Sequence, residues 1–171
     1  MVWTNSDGLR VPFHRELGTT TKAGEFATPA NGDQHVAEIS ISDLTTLATG
    51  AAVMDHFVII PAGARIEKVE IITTTAATSG GSAVLNVGLQ RLDGSTEIDY
   101  DGLIAAAALA TFNAVGETVS VTQGGTGAGA LVGTTIGATY PGKVTADYDT
   151  AAFTAGAIKV KIYYSFLTAA Q

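Results

Sequence analysis

From Val36 onward, apolar and polar residues take turns along the chain. Ala37, Ile39 and Ile41 alternate with Glu38, Ser40 and Ser42, the period of a strand with one buried face. His56 to Ile60 is a short apolar run stopped by Pro61-Ala62-Gly63, a turn in which proline fixes φ and glycine permits the reversal. From Ile66 to Thr75, Val69, Ile71 and Thr73 share one face and Lys68 and Glu70 the other. β-Branched side chains dominate that stretch, as a pleated, half-buried surface favours. After a Gly/Ser-rich loop at 78–82, Ala83, Leu85, Val87 and Leu89 alternate with Asn86, Gly88 and Gln90. Asp93-Gly94 then predicts a hairpin turn. Val119 and Val121 mark a further strand, and Leu131–Ile136 and Lys143–Tyr148 weaker ones. Ile158, Val160, Ile162 and Tyr164 alternate with Lys159, Lys161 and Tyr163 in the clearest strand of all; Ile158, Val160 and Ile162 are predicted to point inward. The one segment that reads as helix is Asp101–Thr111, with an aspartate at the N-cap position and an alanine-rich body.

These elements predict an all-β fold: an antiparallel β-sandwich or jelly roll of about eight strands, with one short helix, over residues 35–171. No βαβ alternation appears, which excludes a parallel α/β sheet. Residues 1–34 lack sustained periodicity and hold four glycines, Pro12 and Pro29. They predict an extended N-terminal arm with one short strand around Leu9, Val11 and Phe13. Trp3, Leu9, Val11, Phe13 and Phe26 place apolar bulk in that arm. They are the candidate partner interface, since buried aromatic anchors carry much of the binding energy between proteins.

Ala (28), Thr (24) and Gly (20) make up much of the 171 residues, and charged residues are only 15%. That balance excludes a disordered chain and a coiled coil. The net charge of −7 from 16 acidic and 9 scattered basic residues argues against a nucleic-acid partner, which needs a clustered basic face. The same charge disfavours an anionic membrane surface. The longest apolar stretch, Leu103–Ala110, is far shorter than the roughly 20 residues that cross a bilayer. The opening residues lack the basic-then-apolar pattern of a signal peptide. There is no cysteine, so thiol catalysis and zinc–thiolate sites are excluded.

Four motifs bear on chemistry. Gly125-Thr126-Gly127-Ala128-Gly129-Ala130 fits the dinucleotide-binding pattern, but the β-branched, glycine-broken residues that follow do not supply the helix N-terminus that pyrophosphate needs. It reads as a flexible surface loop. Gly137–Lys143 has P-loop spacing, yet Val144 stands where a magnesium-holding Ser or Thr belongs and Pro141 removes an amide. Asp99 and Asp101 flank Tyr100, and Asp147 and Asp149 flank Tyr148. In a strand each pair shares a face, so they are candidate calcium ligands or a glycosidase-style pair, with turn capping as the simpler role. His14, His35 and His56 form no metal-binding pair, and no catalytic constellation is visible, so no enzyme activity and no cofactor are expected.

Trp3-Thr4-Asn5-Ser6-Asp7-Gly8-Leu9, Ile60-Pro61-Ala62-Gly63-Ala64-Arg65-Ile66, and Leu85-Asn86-Val87-Gly88-Leu89 before Asp93-Gly94 follow one another in a familiar order. Ile98-Asp99-Tyr100-Asp101-Gly102-Leu103 and Ala155-Gly156-Ala157-Ile158-Lys159-Val160 continue it. Through these turn and strand motifs the chain resembles a group of tailed-bacteriophage virion structural proteins of the capsid decoration or cement type. The resemblance implies a non-enzymatic subunit that binds and stabilises the major capsid protein lattice on the capsid exterior. It implies synthesis in the host cytoplasm and self-association, as a homotrimer. It carries over no binding residue. The alternatives are a virion appendage, head fibre or tail, or a carbohydrate-binding sandwich using Tyr100, Tyr140 and Tyr148. A hydrolase built on Asp99, Asp101, Asp147 and Asp149 is the third reading.

Overall fold

Two four-stranded antiparallel sheets face each other in the computed structural model, which describes residues 2–4, 10–12, 34–50, 58–94, 96–137 and 140–166. The strands are β1 (Val2–Thr4), β2 (Arg10–Pro12), β3 (His35–Ile41), β4 (Ile59–Ile60), β5 (Ala64–Ser79), β6 (Val84–Arg91), β7 (Glu97–Ala108), β8 (Thr118–Thr122), β9 (Gly142–Asp149) and β10 (Phe153–Phe166). The first sheet runs β3-β10-β5-β8 and the second β4-β9-β6-β7. β3 pairs with β10, β4 with β9, β5 with β8 and β6 with β7. This nesting is one long antiparallel ribbon folded over on itself, and it makes the sandwich a jelly roll. β1 and β2 form a separate two-stranded sheet in which Trp3 lies opposite Val11.

Burial follows the alternation. Ala37, Ile39 and Ile41 from β3, Val69 and Ile71 from β5, and Leu85, Val87 and Leu89 from β6 fill the space between the sheets. Ile158, Val160 and Ile162 of β10 point inward as predicted, each at most 1% exposed. Phe112 is fully buried, its ring 5.8 Å from that of Phe153. One turn of 3-10 helix at Leu44–Thr46 closes the end of β3. Its Asp43 carboxylate accepts from the Thr45 N–H at 2.9 Å, which leaves Leu44 to enter the core.

Two expected elements are corrected. Asp101–Thr111 is not a helix: residues up to Ala108 belong to β7, and only Leu109–Thr111 make a single 3-10 turn. Alanine favours helices, but here tertiary pairing overrides propensity. The segment lies between β6 and the glycine loop, with Leu103, Ile104 and Ala107 buried. Leu131–Ile136 is not a strand, because Gly133 adopts φ +83° and the Thr134 N–H turns back to the Leu131 carbonyl. Of the apolar run before Pro61, Ile59–Ile60 form β4, and His56 and Phe57 lie outside the described residues.

The glycine loop is anchored rather than flexible. Ala105 N–H donates to the Gly127 carbonyl at 2.9 Å, and Leu131 N–H to the Gly102 carbonyl at 2.8 Å. Gly129 has to be glycine, since a Cβ there would stand 2.1 Å from the Asp101 carbonyl oxygen. The loop therefore covers the outer edge of β7, and Ile136 N–H continues onto the Ala64 carbonyl of β5 at 2.9 Å. Covering an edge removes a template for unwanted pairing. Among the described residues no helix is long and apolar enough to cross a membrane.

Candidate functional site

The outer face of the first sheet is a ladder of opposite charges. Lys159 Nζ lies 2.8 Å and Lys161 Nζ 3.7 Å from the Glu38 carboxylate. Lys68 donates to Glu70 at 2.9 Å and sits 4.2 Å over the Tyr163 ring, whose hydroxyl donates to Glu70 at 2.7 Å. Ser165 donates to Glu67 at 2.7 Å, and Arg65 lies 3.3 Å from the same carboxylate. The Lys159 hydrogen bond holds Glu38 below its ordinary pKa, and Lys68 does the same to Glu70. Such exposed pairs each contribute little to stability. Together they make that sheet face polar. The edges of that sheet differ from its face: β3 and β8 each pair on one side only among the described strands. On β3, Val36 is 52% exposed. An unpaired edge presents backbone donors and acceptors to any added strand.

The outer face of the second sheet carries a buried polar seam. Asn86 of β6 lies opposite Asp147 of β9, and Gly88 lies opposite Thr145. On the other side of β6, Val87 pairs with Ile104 and Leu89 with Asp99. Residues 100–103 of β7 therefore bulge out opposite Gly88 alone. The bulge folds over the face, and a Cβ on Gly88 would stand 2.1 Å from the Asp99 carbonyl oxygen and 2.2 Å from that of Tyr100. Asp147 and Thr145 are buried beneath, at 1% and 0% exposure. Neither carboxylate oxygen of Asp147 nor the Thr145 hydroxyl makes a well-formed hydrogen bond. Burial pushes the pKa of Asp147 up and Asp149 adds to the rise, while the Asn86 amide and the Gly50 backbone oppose it. Asn86 bridges β7 to β9: its amide donates to Asp149 at 2.8 Å and its oxygen accepts from Ala106 N–H at 2.8 Å. Asp99 is pushed up to about 6, first by burial and then by Asp101 beside it.

The four candidate aspartates thus come from β7 and β9, the two strands that flank β6, within strands rather than as turn caps. Asn86, Thr145 and Gly88 complete the seam and were not singled out by sequence; they read as ordinary outward positions of their strands. Among the described residues no three carboxylate or imidazole groups form a ready metal centre. Of the tyrosines, Tyr100 and Tyr140 are exposed and Tyr148 packs partly against the core. Tyr140 stacks under the Arg91 guanidinium at 4.1 Å. In the arm, Trp3 and Val11 lie on β1 and β2, whereas Leu9, Phe13 and Phe26 fall outside the described residues, as do His14 and His56.

No family model matches the chain, and no curated protein matches it. Three solved structures have a similar chain path. One is described as the acidic stable capsid structure of Helicobacter pylori bacteriophage KHP30, with TM-score 0.49 and 15% identity over 80% of this chain and 89% of that one. A second is the capsid of Ralstonia phage GP4, with TM-score 0.47 and 18% identity over 81% and 87%. The third is the capsid asymmetric unit of cyanophage Pam1, with TM-score 0.46 and 15% identity over 92% and 100%. Likeness at this distance transfers no residue and no role.

Proposed function

We propose that the chain is a non-enzymatic structural subunit of a phage virion, a decoration or cement protein that binds the major capsid protein lattice from outside and associates with copies of itself. The observation that carries this reading is the outer edge of β3, which among the described strands pairs with β10 alone and follows directly in sequence on the apolar-bearing segment 1–34. A strand edge joined to an arm suits bridging between neighbouring subunits, where many weak contacts on a lattice add up. The motif resemblance sets the virion context. The capsid descriptions of the three similar chain paths are too distant to add weight. Because folds host many functions, the test is binding. Wild-type chain is expected to co-sediment with capsids that lack it and to raise their resistance to heat. The double variant Val36→Lys/Ser40→Lys, charged along the open edge, is expected to stay folded and bind more weakly. Capsids that neither bind the wild-type chain nor gain heat resistance would overturn the proposal.

A second reading, a glycan-binding appendage, is favoured by the exposed Tyr100 and the Arg91–Tyr140 stack. It requires glycan-array binding that Tyr100→Ala and Tyr140→Ala remove.

A further inference from the structure

We propose that the seam under the β7 bulge is a binding site for a hard divalent cation of the calcium class, with the Asp147 carboxylate as its central ligand. The first argument is the state of Asp147 itself. It is 1% exposed and neither oxygen makes a well-formed hydrogen bond, although the Asn86 amide and the Gly50 backbone N–H lie near enough to favour its charged form. An ionised carboxylate left so is heavily penalised unless a counter-charge or proton joins it. The charges that bear on it most, Asp149 and Asp101, are both negative. Lys143, the basic residue of its own strand, lies at the other end of β9, against Gly94 of the β6–β7 turn.

The second argument does not involve the aspartates. Thr145, two positions along the same face, is fully buried and its hydroxyl is also unpartnered. Directly across from it, the carbonyl oxygens of Asp99 and Tyr100 occupy the space beside Gly88 that a Cβ would fill. The register and the bulge thus bring a carboxylate, a hydroxyl and two backbone carbonyls to neighbouring positions, with the Asp101 carboxylate on the adjoining bulge. All are oxygen donors. Calcium takes six to eight such ligands, mixes carboxylate with carbonyl and tolerates irregular geometry, whereas magnesium demands a near-ideal octahedron. The set contains fewer than three converging carboxylates, which is why it is not a ready cluster by acidic residues alone. Asn86 is committed to Asp149 and Ala106 and so positions the seam without ligating. A bound ion would clip the bulge of β7 to β9 across β6. The site stands whether or not the chain belongs to a virion.

The test uses the full chain stripped with EDTA. Its melting temperature is followed as calcium, magnesium or sodium chloride is added at matched ionic strength, and calcium binding is measured by titration calorimetry. Calcium at a hundredfold excess over its Kd is expected to raise the melting temperature by about 5–10 °C, with a smaller rise for magnesium and none for sodium. Asp147→Asn removes an uncompensated charge and should fold as well as wild type without calcium, but lose the calcium-induced rise. Thr145→Val keeps the shape and should weaken calcium binding about tenfold or more. The proposal is overturned if calcium shifts the wild type no more than magnesium does, or if Asp147→Asn keeps the full shift. It is equally overturned if calcium does nothing and Asp147→Asn abolishes a fall in stability as pH rises, for then a proton occupies the seam.

Discussion

Gly88→Ala isolates the bulge that shapes the second sheet. The added Cβ would stand 2.1 Å from the Asp99 carbonyl oxygen, and ordinary contact begins at 3.4 Å, so the bulge must retreat by about 1.3 Å. Its obstacle is backbone, which has no rotamer to escape into. The bulge is also tied down: Tyr100 N–H donates to Glu97 at 2.8 Å, and the Gly102 carbonyl accepts from Leu131 N–H at 2.8 Å. Overpacking costs about 1–3 kcal/mol, and straining two hydrogen bonds adds about 0.5–1.5 kcal/mol each. Alanine returns about 0.5–1 kcal/mol by restricting the unfolded chain. The net expectation is a loss of about 2–4 kcal/mol. With a urea m-value of about 1–3 kcal/mol/M, the midpoint should fall by about 1–2 M in equilibrium unfolding followed by circular dichroism. Gly80→Ala is the control, because a Cβ there meets nothing within 4 Å; it should leave the midpoint unchanged or slightly raised. If Gly88→Ala matches Gly80→Ala, residues 100–103 do not close over β6, and the buried seam disappears with them.

Val160→Asp, at a fully buried position of β10, should abolish cooperative unfolding in the same assay, since an unpaired buried charge costs several kcal/mol; a stable variant would reverse the phase of β10. Phe112→Ala removes a buried ring that packs on Phe153 and should cost about 3–5 kcal/mol, read from the urea midpoint. The pKa of Asp99 is raised from 3.8 to about 6, so the folded state holds its proton where the unfolded chain has released it. Its contribution is favourable at low pH and is lost as pH rises from about 4 through 6. In EDTA, Asp99→Asn should therefore raise stability at pH 7.5 by about 1 kcal/mol after solvent screening and flatten the melting-temperature profile between pH 4 and 6. An unchanged slope would mean that Asp99 is not held in its protonated form.

Most strands were legible because one face of each is buried, and alternation then has a period of two. β10 shows this best: Ile158, Val160 and Ile162 lie inward and Lys159 and Lys161 outward. β7 was hidden by composition. Its Ala105–Ala108 run favours a helix locally, and only the partners on either side, β6 and the glycine loop, select the strand. The glycine motif's role as an edge cover depends on contact with Leu103 and Ala105, some 20 residues earlier. The acidic seam was half visible. Spacing placed each aspartate pair on one face, but bringing Asp101 towards Asp147 depends on register across β6 and on the bulge at Gly88. No local pattern encodes either. The loss of solvent at Thr145 and Asp147 follows from the same bulge, so neither the raised pKa of Asp147 nor the unpartnered oxygens had a signature in sequence.

The claim that this chain is a virion building block is tested most directly by counting it in purified particles. Quantitative mass spectrometry of virions should find it in a fixed ratio to the major capsid protein, the same in every preparation and set by the lattice. Particles that carry none of it, or only traces that vary between preparations, would contradict the account.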